Sequence, residues 1–131
     1  MSEIRAVFEP RYRGIIEGNR ARLVLGPEEG EFGPYDLVLG GLAGCFYATF
    51  LGIAGKMHLH YHEVIIDIKA DHREEPPTMM SHILLDMEVK GADPSKEKQY
   101  GRAVEIAGKY CSVFQTLGHV AQMETRLTLT P

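Results

Sequence analysis

The sequence predicts an α+β fold, with largely antiparallel sheets packed on one long central helix. Three observations carry that prediction. Short runs of alternating apolar and polar residues come in blocks, one near the N-terminus and one over residues 62–90, and strands that alternate cleanly in blocks form antiparallel sheets with one covered face. Between the blocks, residues 37–55 (LVLGGLAGCFYATFLGIAG) contain no charge. Further on, Tyr100, Ala103, Val104 and Ala107 keep the i, i+3, i+4, i+7 spacing of an amphipathic helix.

Each element can be justified from its residues in turn. Ile4, Ala6 and Phe8 alternate with Arg5 and Glu9, and Leu23 and Leu25 alternate with Arg22. Gly18-Asn19 is a turn signal between two such runs. Residues 27–33 (PEEGEFG) make a loop. Pro34 stands where a helix accepts proline, in its first turn, and Asp36 puts an acid at the positive end of the helix dipole. The spacing predicts a helix from there to about Met57. Val64, Ile66, Ile68 and Ala70 then oppose Asp67 and Lys69 on a strand over residues 62–70. Residues 72–81 (HREEPPTMMS) connect it to a second strand, where Ile83, Leu85, Met87 and Val89 oppose Asp86, Glu88 and Lys90. Asp93-Pro94 has the form of an N-cap and a first helical residue, starting a helix to about Lys109. Cys111 opens a short helical turn, SVFQTLG, closed by Gly118, and a last strand sets Leu127 and Leu129 against Glu124 and Arg126.

The chain has 131 residues, 44% hydrophobic and 24% charged, which predicts one globular domain over residues 1–131 rather than a disordered chain. Fourteen basic and 18 acidic residues give a net charge of −4, and the basic ones are scattered, so nucleic acid is not an expected partner. Two cysteines, Cys45 and Cys111, are too few for a disulfide scaffold and form no CxxC pair. The opening residues lack the charged-then-apolar shape of a signal peptide, and a cytoplasmic location is expected. The charge-free stretch just reaches the length of a membrane span, about 18–20 residues. Its five glycines, at 40, 41, 44, 52 and 55, and its half-exposed flanking strands favour a central helix buried on most sides, with no membrane partner. One small sheet and one amphipathic helix cannot cover such a helix, so a second subunit is the expected cover, in a homodimer.

Several residues are candidates for chemistry. Cys45 lies midway along the apolar helix, where a thiol also serves as a small hydrophobe. Cys111 begins a helix just after Lys109, so its thiolate would gain from the dipole and a nearby cation. His58, His60 and His62 would share one face of a strand with metal-ligand spacing, or would mark a solvated strand entry after the helix; no metal is assigned to them. Met79-Met80 sits in a loop, at an interface or flexible surface, and Glu74-Glu75 is a solvated loop charge.

Two segments resemble a known family. Residues 34–45 (PYDLVLGGLAGC) resemble the P-x-[ED]-L-L…C helix of the OsmC/Ohr superfamily, the osmotically inducible protein C and organic hydroperoxide resistance proteins. Residues 103–117 (AVEIAGKYCSVFQTL) resemble its a-x-x-x-C-P-V-x-x-x-L segment, and the cysteines fall 66 positions apart, which fits the family. The resemblance covers residues 34–129. It implies an OsmC-like fold, an intertwined homodimer with two long central helices side by side, and two active sites at the subunit interface. It further implies a thiol-dependent peroxidase for organic hydroperoxides. There Cys45 attacks the O–O bond and Cys111 resolves the sulfenic acid as a disulfide. A thiol or dithiol reductant, lipoyl in some members, resets the pair without any other cofactor. The family's peroxidases activate the nucleophile with an arginine of the N-terminal strands, held by a glutamate at the start of the central helix. The matching candidates are Arg20 or Arg22 and Asp36. Tyr35 occupies the glutamate position, and Asp36, one residue on, points about 100° further round the helix. That substitution keeps a second reading open, a non-enzymatic dimer whose interface pocket holds a small apolar or thiol ligand. Ser112 stands where many members have proline.

Overall fold

A computed structural model describes residues 2–131. In chain order it has strands β1 (Arg5–Phe8), β2 (Gly14–Glu17) and β3 (Arg22–Leu25), then helix α1 (Pro34–Lys56). Strands β4 (Glu63–His72) and β5 (Met80–Lys90) come next. A short 3-10 turn (Pro94–Lys96) leads into helices α2 (Glu97–Tyr110) and α3 (Ser112–Gly118), and β6 (Gln122–Thr130) ends the chain. The fold is α+β, with the expected order of elements. The chain divides into two compact units, one up to Gly40 and one over Gly41–Pro131.

In the N-terminal unit β1, β2 and β3 pair antiparallel in that order, with Val7 opposite Ile15 and Ile15 opposite Val24. The loop after β3 folds back on it: Gly26 N–H donates to the Phe32 carbonyl at 3.1 Å, and Arg13 pairs with Glu31 at 2.5 Å. That guanidinium holds the Glu31 carboxyl below its ordinary range. Little of this sheet is buried. Ile4, Val7 and Phe8 are exposed, and Leu25 is its one buried large side chain.

In the C-terminal unit β5 is the central strand, antiparallel to β4 and parallel to β6. A parallel pair needs a crossover rather than a hairpin, and α2 and α3 supply it. Alternation on β5 buries Ile83, Leu85, Met87 and Val89. The register sets Val64 and Leu129 beside Val89, and Ile66 and Leu127 beside Met87, which makes one continuous apolar face. Helix α2 buries Tyr100, Ala103, Val104 and Ala107, the four residues its spacing singles out. The Tyr100 hydroxyl ties two connections together: it donates to the His60 carbonyl and accepts the Asp93 N–H at 3.2 Å. Asp93 caps the 3-10 turn by accepting the Ser95 N–H at 3.0 Å.

Helix α1 buries a single stripe, Leu42, Phe46, Phe50 and Ala54, at i, i+4, i+8 and i+12. Phe46 meets Phe114 of α3, and Phe50 meets Tyr61, each at 5.8 Å between ring centres. By length and composition this helix could cross a membrane, and only 22% of its most apolar stretch is buried within the chain. Burial on most sides is therefore not achieved by one chain alone.

The three histidines do not share a strand face. His58 has φ 56°, in the left-handed region, immediately beyond the helix. His58 N–H bonds to the Gly55 carbonyl and Leu59 N–H to the Ala54 carbonyl, at 3.2 and 2.9 Å, which is the Schellman pattern that closes a helix. Buried Leu59 completes it, and β4 starts only at Glu63. Among the described residues no group of three His, Cys, Asp or Glu side chains is placed to hold a metal ion. His62 instead packs on Gly91, whose φ of 76° and lack of a Cβ let the ring approach. Of the methionine pair, Met79 is exposed in the loop and Met80 begins β5 as a buried side chain.

Candidate active site

The end of α2 and the start of α3 share one residue, Cys111. Its N–H still bonds back to the Ala107 carbonyl at 2.8 Å, closing α2. Its sulfur accepts the Phe114 N–H at 3.4 Å, serving as the N-cap of α3. A helix start leaves its first N–H groups without intrahelical partners. In α3 these belong to Ser112, Val113 and Phe114, and two sulfur atoms lie beside them. Cys111 accepts from Phe114, Cys45 reaches in from α1 toward Ser112, and the Val113 N–H acts on both sulfurs. The Ser112 hydroxyl and the Cys45 sulfur share a hydrogen bond at 3.6 Å.

Electrostatics separate the two thiols. Hydrogen bonding from the Val113 N–H, helped by the Cys111 thiol and the hydroxyl and N–H of Ser112, outweighs burial and draws the Cys45 thiol below its ordinary range. Burial pushes the Cys111 thiol up, and the neighbouring Cys45 sulfur pushes it the same way. Cys111 has no exposed surface, whereas Cys45 is partly open to solvent. The arrangement therefore sets an accessible, easily ionised thiol against a buried thiol that stays protonated and can donate to it. Both are free thiols.

The backbone around them is held in place. Thr49 Oγ1 donates to the Cys45 carbonyl at 2.9 Å, Thr116 Oγ1 to the Ser112 carbonyl at 2.8 Å, and Gln115 Nε2 to the Gly108 carbonyl at 2.8 Å. Gly108 lies under the Phe114 ring, where an added Cβ would sit 3.5 Å from it. One turn along α1 from Cys45, Thr49 begins a groove of about 420 Å³, lined by Thr49, Ile53, Lys56, Met57, Ile106 and Tyr110. Cys45, Thr49 and Ile53 lie on one helix face by their i, i+4, i+8 spacing.

Of the residues singled out in the sequence, the structure brings Cys45 and Cys111 together within the C-terminal unit. The other three belong to the N-terminal unit. Arg20 is exposed in the β2–β3 turn, and Arg22 is exposed at the start of β3, opposite Glu17. Asp36 Oδ2 accepts the Gly33 N–H at 2.8 Å, with Pro34 as the first helical residue. That is the third-position carboxylate of a capping box reaching back over a helix start. The residues that sequence reasoning missed are the donors, Ser112 and Val113. The available signal was the serine after Cys111, which offers an N–H and a hydroxyl where proline offers neither.

The family profile described as OsmC-like protein matches residues 26–126, and the chain belongs to that family. It is 33% identical over 81 residues to Protein YhfA of Escherichia coli K12, a match covering 61% of this chain and 60% of YhfA. Its fold is similar to that of an OsmC-like protein from Mycoplasma pneumoniae, with a TM-score of 0.85, 18% identity, and coverage of 100% of this chain and 98% of that one. It is also similar to a Legionella pneumophila protein described as an organic hydroperoxide resistance protein OsmC and predicted redox protein. There the TM-score is 0.76 at 17% identity, over 98% of this chain and 96% of the other. At these identities the two structural likenesses concern the fold.

Proposed function

We propose that this protein is a thiol-dependent peroxidase that reduces organic hydroperoxides, with Cys45 as nucleophile and Cys111 as resolving thiol. The observation that supports it is the pair of sulfurs at the start of α3, with their acidities moved in opposite directions. Only a thiolate attacks a peroxide, and sulfenic acid is the first product. In the proposed cycle the Cys45 thiolate attacks the terminal peroxide oxygen. The O–O bond breaks, the alkoxide leaves and takes a proton to become the alcohol, and Cys45 becomes a sulfenic acid. The Cys111 sulfur then attacks the Cys45 sulfur, the S–O bond breaks, and hydroxide leaves as water. Two equivalents of a thiol, or one dithiol, reduce the disulfide and are themselves oxidised. The groove beginning at Thr49 suits an organic substituent. Arg20 or Arg22 as activating cation, and Asp36 as its orienting acid, belong to the same proposal.

The active form in this reading is a homodimer in the cytoplasm, where free thiols stay reduced. Half-exposed Leu51 on α1, and exposed Ile4, Val7 and Phe8 at β1, are the surfaces a second copy would cover. The second reading, a dimer that binds a small apolar or thiol ligand without turnover, is favoured by one observation: tyrosine at position 35.

The test is consumption of cumene hydroperoxide with dithiothreitol or dihydrolipoamide as reductant. Wild type is expected to turn over and Cys45→Ser to lose the activity, while Cys111→Ser accumulates a sulfenic acid that dimedone traps. No turnover by wild type, with Cys45 alkylated like an ordinary thiol, supports the binding module instead.

A further inference from the structure

We propose that Ser112 is a positioning residue for Cys45: its hydroxyl, 3.6 Å from the Cys45 sulfur, holds that sulfur as a thiolate at the start of α3 beside Cys111. The inference deepens the peroxidase reading and rests on it for its purpose. The hydrogen bond itself does not depend on that reading.

The donors at the start of α3 are shared between two sulfurs. Three N–H groups there have no partner in the helix, and Cys111, as N-cap, accepts that of Phe114 at 3.4 Å. The Val113 N–H acts on both sulfurs, and the hydroxyl of Ser112 lies 3.6 Å from the sulfur of Cys45. A thiolate on a largely apolar helix needs more than this, because burial opposes charge. Position 112 of this chain is a serine, which carries both an N–H and a hydroxyl. Proline at the first helical position would keep α3 but would carry neither N–H nor hydroxyl. Thr116 fixes the donor's place, since its Oγ1 holds the Ser112 carbonyl at 2.8 Å. The hydroxyl lies on an exposed residue and, among the described residues, makes no other hydrogen bond, so it is available to the sulfur.

The test is the pH dependence of Cys45 alkylation by iodoacetamide, followed peptide by peptide so that Cys111 is read separately. Ser112→Ala is expected to raise the Cys45 midpoint by about half a pH unit to one unit, the scale of one hydrogen bond to a charged group. Ser112→Thr keeps the hydroxyl and is expected to restore the wild-type midpoint. Ser112→Pro, which α3 accepts at its first position, is expected to raise the midpoint further, because it removes the N–H as well. A merely structural serine would move none of these midpoints. A Ser112→Ala midpoint that coincides with wild type overturns the proposal, whatever Ser112→Pro does. Cumene hydroperoxide consumption is measured in parallel on the same samples. A wild type that consumes none while the midpoint moves removes the peroxidase reading and leaves the role of Ser112 standing. A wild type that turns over while the midpoint stays fixed does the reverse.

Discussion

Cys45 and Cys111 are chemically the same side chain, and their surroundings make them different. Cys45 accepts from the Val113 N–H, the Cys111 thiol and Ser112, whereas Cys111 is fully buried beside another sulfur. The acid whose value is lowered ionises earlier as pH rises, and the one whose value is raised ionises later. In wild type, alkylation of Cys45 is therefore expected to reach half its plateau rate at a lower pH than that of Cys111. Equal midpoints, measured by mass spectrometry of the two peptides across a pH series, would remove the asymmetry. Both cysteines were legible in the sequence, because a thiol in a charge-free helix and a thiol at a helix start are each conspicuous by type and context. Ser112 was visible only as a departure from a family pattern. Its contact with Cys45 depends on how α3 meets α1, which no local spacing encodes. The same holds for Arg20 and Arg22, which the sequence places on the N-terminal strands and no further.

Elements were the most legible level. Period-2 alternation marked β5 and period-3.6 spacing marked the buried face of α2, since both arise from one covered side. Direction was less legible. Alternation is the same in a parallel and an antiparallel strand, so the β5–β6 pair became apparent only with its crossover. The His58–His62 stretch imitated a strand by its spacing, but His58 closes α1 in the left-handed region, where glycine is the usual signal. The connection from α1 to β4 is then pinned by Tyr100, whose hydroxyl serves both the His60 carbonyl and the Asp93 N–H. Tyr100→Phe leaves both of those backbone groups without that partner. It is expected to lower the unfolding free energy by about 1–3 kcal/mol in urea titration, with secondary structure retained. A loss within a few tenths would show that the two connections are held by other means. Leu85→Ala, at the centre of β5, is expected to cost about 2–5 kcal/mol, the range for emptying a packed aliphatic site.

At the scale of the whole molecule, a single chain leaves much apolar surface uncovered. Helix α1 hides one stripe, and β1 is exposed along its length. Burial stabilises by about 25 cal/mol per Å² of apolar area, so covering such surfaces is strongly favoured. The expectation of a second subunit comes from the sequence, through a helix too apolar for its own neighbours to cover. It did not show which faces would meet. Light scattering at micromolar concentration is expected to give twice the 14.6 kDa of one chain. A mass of one chain, in buffer without detergent, would contradict the dimer. Leu51→Lys, which charges an exposed apolar position on α1, is expected to shift the mass toward one chain.

The proposed chemistry comes down to whether two sulfurs, distant in sequence, act as one redox pair. The direct measurement is treatment of the reduced protein with one equivalent of cumene hydroperoxide, followed by mass spectrometry of the intact chain and of its non-reduced peptides. The expected result is the loss of a pair of hydrogens per chain and a single cross-linked species joining the Cys45 and Cys111 peptides, reversed by dithiothreitol. A chain that keeps both thiols under these conditions, or that links the cysteines of different molecules in no fixed pattern, would contradict it.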